Sequence, residues 1–251
     1  MEQLTSLKNP KIMSWRSLKE RKGRETSGCF LAEGRKMVGE ALASDFPVEA
    51  LLFREDAEIP SRTDIPMYRL PSHVFEAVCE TRTPQGIAAV VRIAPRPAAG
   101  PRLIVLDQVQ DPGNVGTILR TADAAGFTGA LLGPGCADVF SPKVLRATMG
   151  SVFHLGLSFP DALPPALAAL RQSGFSVLSS QLDGESFYAR QEVSDSFALI
   201  IGNEGNGVSP EVQAQATHRL RLPMRGGAES LNAAVAAGIM MYDLTRNLQE
   251  S

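Results

Sequence analysis

The sequence predicts an α/β fold built on a parallel sheet, with a smaller α/β domain ahead of it. Three observations carry this. Strand-like runs at 103–106, 129–132, 175–178 and 198–201, the first and last of them continuously apolar, alternate with segments of helical periodicity. Strands covered on both faces read in that way. Two strand ends feed glycine-rich loops: Gly202-Asn203-Glu204-Gly205-Asn206-Gly207, and a later loop holding Gly226 and Gly227. In open α/β sheets, ligands are expected beyond the carboxyl ends of strands. Finally, residues 94–101 (APRPAAGP) carry three prolines and one glycine, the composition of a semi-rigid linker. They separate a domain at 1–93 from one at 102–251.

Taken in order, residues 1–36 hold nine cations against four carboxylates, a net charge of +5 in a chain whose formal charge is −2. Ile12, Trp15 and Leu18 share a helix face, and Lys11, Arg16 and Lys19 lie off it. A solvated helix with a buried Trp15 and a phosphate-tracking surface are both open, since affinity for RNA comes largely from Lys and Arg on phosphates. Residues 51–53 and 67–70 read as strands. Ser72 is placed to cap a helix through Val74, Phe75 and Val78, and His73 is a surface residue near that cap. Residues 87–91 form another strand, preceded at 81–86 by a segment read as a turn in preference to an RNA contact.

Beyond the linker, the strand at 103–106 ends before Asn114, which is placed to cap a helix with Val115, Ile118, Leu119, Ala122 and Ala125 inward. Arg120 falls off that stripe, where an ion pair with Asp123 or Asp107 is the bland reading. Ser141 and Pro142 open another helix, and its Lys143 and Arg146 can serve as RNA contacts or as ordinary surface charges. His154, inside an apolar run, reads as a core histidine. An amphipathic helix spans 161–172. Residues 184–193 give no clear pattern. A small-sided helix, rich in alanine, runs from 231 to about 247.

Composition sets limits. A chain of 251 residues, 44% hydrophobic and 21% charged, is that of a globular protein of one or two domains. No apolar run is long enough to span a bilayer, and no signal sequence is evident, so a cytoplasmic location is expected. Cys29, Cys79 and Cys136 are scattered and lack metal-ligand spacing, which argues against disulfides and against a metal site. No G-x-x-x-x-G-K-[ST] occurs, and the G-x-x-G-x-G after residue 201 is not a dinucleotide fingerprint. A glycine-rich loop without Lys or Arg suits a ligand that is not a polyphosphate.

At this point a resemblance becomes specific. IIGNEGNGV and LRLPMRGGAESLNAAVAAGI resemble the second and third motifs of the SpoU (TrmH-type) RNA 2′-O-ribose methyltransferases of the SPOUT superfamily. The first motif, N-x-G-x-x-x-R, stands upstream as Asn114 to Arg120. The resemblance implies a C-terminal parallel-sheet α/β domain tied in a deep trefoil knot. FLAEG at 30–34 resembles the family's N-terminal substrate-binding domain, a ribosomal-protein-like α/β unit. Also implied are S-adenosyl-L-methionine as cofactor, RNA as partner (rRNA ahead of tRNA), and a homodimer through the C-terminal domain.

Carried over by motif, Gly202, Leu222, Met224, Ser230 and Leu231 line the cofactor. Arg120, Asn114, Ser230, Asn232 and Glu204 are the catalytic candidates. Arg120 is read as orienting the hydroxyl and stabilising negative charge, because arginine stays protonated at workable pH. Glu204 is read as a brace. Lys19, Arg21, Lys22, Arg35 and Arg146 are the RNA-binding candidates. Two rival readings are a non-catalytic RNA-binding module of the same fold and a Ser-His-Asp hydrolase. The intact polar motif residues weigh against the first. The absence of G-x-S-x-G weighs against the second.

Overall fold

The computed structural model describes residues 1–58 and 64–248. Its chain divides into two compact units, one made of 1–95 and 138–154, the other of 96–137 and 155–251.

The first unit begins with β1 (Glu2–Gln3), α1 (Pro10–Ser17), α2 (Arg21–Ser27), β2 (Cys29–Glu33) and α3 (Arg35–Ala43). It continues through β3 (Val48–Arg54), β4 (Met67–Leu70), α4 (Ser72–Val78) and β5 (Ile87–Arg92). The sheet order is β1-β4-β3-β5-β2, with β5 antiparallel to both β3 and β2. Ile12, Trp15 and Leu18 are buried as their spacing predicts, packed with Val74, Phe75 and Val78. Ser72 falls one position inside its helix. Its backbone N–H and hydroxyl both donate to Glu55, at 3.0 and 2.8 Å.

The second unit holds β6 (Arg102–Leu106), α5 (Pro112–Ala124) and β7 (Gly129–Leu132). The chain then enters α6 (Pro142–Thr148), which belongs to the first unit, and returns as β8 (Gly156–Ser158). After that come α7 (Leu163–Gln172), β9 (Ser176–Ser186), β10 (Phe197–Ile201), α8 (Pro210–Gln213), β11 (His218–Arg221) and α9 (Ala233–Thr245). The six strands run in the order β11-β9-β10-β6-β7-β8, and every pair is parallel. Leu163 and Leu167 of α7 and Val212 of α8 share a core with Leu103, Val105, Ala198 and Ile200. The alternate strand residues Ile104, Leu106, Leu199 and Ile201 are buried too. With both faces buried, these strands have no polar face, and that is why they read as unbroken apolar runs.

Several expectations need correction. The segment 138–154, read from sequence as part of the domain at 102–251, packs with the first unit. The reason is aromatic. Phe140 and Phe153 lie 5.0 and 6.1 Å from Phe30 by ring centroid, and Phe153 meets Phe46 edge-on at 5.3 Å. Contacts of that geometry add to simple area burial. His154 is not a core residue: its side chain is 48% exposed, and Nε2 lies 3.0 Å from Glu40 Oε2. The linker is tied to β8: Leu157 N–H donates to the Arg96 carbonyl at 2.7 Å and Ala98 N–H to Ser158 Oγ at 2.9 Å. Arg24, counted from sequence among the basic surface residues, is 4% exposed and pairs with Asp138 at 2.6 Å. Its other nitrogen donates to the carbonyls of Leu18 and Lys19.

Candidate active site

Helix α5 starts earlier than its apolar stripe suggests, and this frees a key side chain. Asp111, not Asn114, is the N-cap: its Oδ1 accepts from Asn114 N–H at 2.8 Å, and Pro112 takes the first position. Asn114 sits in the first turn, where its side chain is available. Nδ2 donates to Glu204 Oε1 at 3.0 Å, and Oδ1 accepts from Asn232 Nδ2 at 2.9 Å. Asn232 in turn caps α9, accepting from Ala234 and Val235 N–H at 2.9 and 3.3 Å. Helix starts favour such caps because their first N–H groups have no partner in the helix. Three segments far apart in sequence thus meet through one chain of side-chain hydrogen bonds.

Glu204 anchors that chain from the loop after β10. Besides Asn114 it accepts from the backbone N–H groups of Gln110 and Asp111, at 3.3 and 3.1 Å. Burial pushes its carboxyl up, but the hydrogen bonds from Asn114, from its own backbone, and from Asp111 and Gln110 outweigh burial and hold it below the ordinary value. The loop is closed on itself. Asn203 and Gly207 exchange two backbone bonds of 2.9 Å, and Asn203 Oδ1 accepts from Gly205 and Asn206 N–H at 3.0 Å. Gly202 is obligatory here: a Cβ would stand 2.2 Å from the Gly207 carbonyl carbon and the Val208 nitrogen.

A cavity of about 460 Å³ opens beside this loop, at the carboxyl ends of β9 and β10. Gly202, Leu222, Met224, Ser230 and Leu231 all line it, together with Glu204. The sequence-predicted cofactor residues are therefore brought together in one place. Arg120 is not among the lining residues. It is exposed on α5 and makes no hydrogen bond or ion pair among the described residues, so neither Asp123 nor Asp107 holds it. Asp107 instead accepts from Ser209 N–H at 2.7 Å. Lys22, Arg35 and Arg146 are exposed and Lys19 half-buried, and all lie in the first unit with Arg21, which pairs with Glu25 at 2.7 Å.

Sequence reasoning missed one wall of the cavity, 180–183. In the pairing of β11 with β9, Arg219 faces Ser179 while the next residue, Leu220, faces Glu185. The intervening residues of β9 have no partner on β11 and bulge from the ladder. Gly184 permits this, since a Cβ there would lie 2.5 Å from the Arg219 carbonyl oxygen. A glycine inside a strand pattern is the one available sequence signal for such a bulge. A larger cavity of about 620 Å³ lies near the start of β10, lined by Arg190, Asp243 and Phe197 among others. It is at the wrong end of that strand for a ligand site of this fold class. Its Arg190 and Asp243 also form an ion pair with each other at 2.7 Å.

Residues 101–242 match the SpoU rRNA Methylase family, and residues 9–89 match the MRM3-like substrate binding domain. The chain belongs to the SpoU rRNA methylase family. It is 43% identical to the 23S rRNA (guanosine(2553)-2′-O)-methyltransferase RlmP of Bacillus subtilis, over 97% of this chain and 99% of that protein. Among solved structures, the AdoMet-bound rRNA methyltransferase from Sinorhizobium meliloti superposes with a TM-score of 0.87 at 31% identity, covering 99% of this chain and 98% of that one. The SpoU methyltransferase AviRb from Streptomyces viridochromogenes, in complex with AdoMet, gives a TM-score of 0.85 at 26% identity, covering 95% and 98%. The α/β fold with a parallel sheet is thus that of a SpoU methylase. The hydrogen-bonded set Asn114–Glu204–Asn232 joins one residue from each of the three motifs read in the sequence.

Proposed function

We propose that this SpoU methylase transfers a methyl group from S-adenosylmethionine to a ribose 2′-hydroxyl of ribosomal RNA, with 23S rRNA as the substrate. The observation that carries the reading is that the second and third motifs line one cavity while Asn114 of the first is hydrogen-bonded to both, in a chain that matches RlmP over nearly its whole length. The cavity fits the cofactor. Its glycine-rich wall exposes backbone, and none of its lining residues is Lys or Arg, which suits an adenosine carrying an amino-acid tail and not a polyphosphate. S-adenosylmethionine supplies an electrophilic methyl group on a sulfonium.

The protein's own residues do the rest by positioning. Gly202, Leu222, Met224, Ser230 and Leu231 hold the cofactor. Asn114, Asn232 and Glu204 lock the loops that form its walls. Arg120, charged and unpaired, holds the ribose oxygen or its phosphate and stabilises developing negative charge. Lys19, Arg21, Lys22, Arg35 and Arg146 contact RNA phosphates, so that 1–93 and α6 select the RNA and the second unit performs transfer. A homodimer through α9 completes the reading. Val235, Ile239 and Tyr242 form an exposed apolar stripe at helical spacing on that helix, 51%, 38% and 56% exposed. The knot implied by the motif resemblance and a cytoplasmic location belong to the same proposal.

Ribose-methylation mapping of 23S rRNA is the test, in cells lacking the gene and in the same cells with the gene restored. One 2′-O-methyl group should vanish and return. A change confined to tRNA would replace the substrate, and an unchanged map would leave only the non-catalytic alternative.

A further inference from the structure

The charges around the cavity are one-sided. Asp183 enters from the bulge of β9, and Glu229 from the loop before α9. Both are exposed, and neither makes a hydrogen bond or ion pair among the described residues. Glu204, the third carboxylate of the lining, already accepts three N–H donors. No Lys, Arg or His is among the lining residues. Arg221 and Arg225, close in sequence, do not line the cavity. One further acceptor is unused. Gln181 donates through Nε2 to Ser179 Oγ at 2.9 Å, while its Oε1 is buried with no donor. An unsatisfied buried oxygen is costly and gains from any donor that reaches it. Two unpaired carboxylates and an orphan carboxamide oxygen, with no opposing cation, suit an occupant that is cationic and rich in donors.

S-adenosylmethionine is such an occupant, because its sulfonium and ammonium outweigh its carboxylate. S-adenosylhomocysteine, left after methyl transfer, has a neutral thioether and no net charge. We propose that Asp183 and Glu229 make the cavity select the cationic cofactor over its neutral product. The selection is electrostatic and acts through the loss of one positive charge. It favours replacement of spent product by fresh cofactor without a change of shape. This inference rests on the cavity being the cofactor site, as proposed above.

Calorimetric titration of the full-length protein tests it, using S-adenosylmethionine and S-adenosylhomocysteine separately. The proteins are the wild type, Asp183→Asn, Glu229→Gln and the double variant. Each neutralisation should weaken S-adenosylmethionine by roughly threefold to fivefold, the scale of a partly solvated charge contact. The double variant should lose about tenfold, while S-adenosylhomocysteine stays within about twofold. Raising salt should weaken only the cationic ligand, most in the wild type and least in the double variant. Equal losses for both ligands, or no loss for either, overturn the inference. Leu231→Trp separates the two levels of the argument. If this cavity-filling variant leaves both affinities unchanged, the cavity is not the cofactor site and the proposed function loses its site. If it weakens both while the neutralised variants keep the wild-type selectivity, only the electrostatic inference falls.

Discussion

The two sheets of this chain place their polar residues in opposite ways. In the six-stranded sheet every pair is parallel, so all strand carboxyl ends open on one edge. Residues as distant in sequence as Asn114 and Asn232 meet there at 2.9 Å. In the mixed five-stranded sheet the strand ends face both ways. The cations of that unit stay dispersed: Lys19, Lys22, Arg35 and Arg146 make no side-chain ion pair among the described residues. Transfer chemistry needs groups that converge and are held. Contact with a phosphate backbone needs only positive charge on an accessible surface. One chain thus keeps a bonded, pre-organised region and a dispersed, charged one, and damage to each should have its own signature.

The sharpest break is expected at Arg120. Arg120→Ala should lower single-turnover methylation by roughly a hundredfold or more, as loss of a transition-state donor does. Arg120→Lys keeps the charge but not the planar fork, and should not restore activity. Cofactor affinity and melting temperature should hold, since the residue is exposed and unbonded. Near-normal turnover in the alanine variant would remove Arg120 from the chemistry.

The dispersed region is tested by charge reversal. Replacing Lys19, Arg21 and Lys22 together with Glu should weaken RNA binding by roughly tenfold to a hundredfold at low salt. It should also flatten the salt dependence, because fewer counterions are released. Cofactor binding should not move. Filter binding across a salt series reads both quantities, and an unchanged slope would make the patch a solvated face.

Arg24 is the exception inside that region, and it sharpens the contrast. It is a cation in the basic segment that serves the fold. Arg24→Ala should cost about 2 kcal/mol in denaturant unfolding, less than a fully buried pair because Asp138 retains some solvent. Lys22→Ala should cost nothing measurable. Equal losses would mean the Arg24–Asp138 pair holds nothing together.

The smallest effect concerns pH. Glu204 has a folded-state pKa below its ordinary 4.5. Its contribution is therefore present above the unfolded pKa and lost as pH falls through the folded one. Acid unfolding of wild type and Glu204→Gln should converge as pH falls below the ordinary 4.5 and through the folded-state pKa, by less than about 1 kcal/mol after solvent screening. Parallel curves throughout the acid range would show that the hydrogen bonds to Glu204 contribute no proton-linked stability.

The sequence by itself determined the central strands of the parallel sheet, because burial on both faces writes an apolar run into β6, β7 and β10. β7 falls where its residues predict, β6 and β10 differ from prediction by a residue, and β9 runs on past its predicted end at 178 to Ser186. The motif resemblance also named five residues that line the cavity, Gly202, Leu222, Met224, Ser230 and Leu231. Other features lay beyond any local pattern. Asn114 was read as a cap because caps are recognised locally, but Asp111 competes for that role and wins, which releases Asn114 to bridge Glu204 and Asn232. His154 looked buried from its apolar neighbours, yet its own side chain points to water and to Glu40. Arg24 looked like surface charge until Asp138, 114 residues away, supplied its partner. The bulge that carries Gln181 and Asp183 to the cavity depends on how β11 pairs with β9. Periodicity records which way a side chain faces along its own element. Only the tertiary structure decides which distant group stands opposite it, because hydrogen bonds and ion pairs act over a few ångströms of space whatever the distance in sequence.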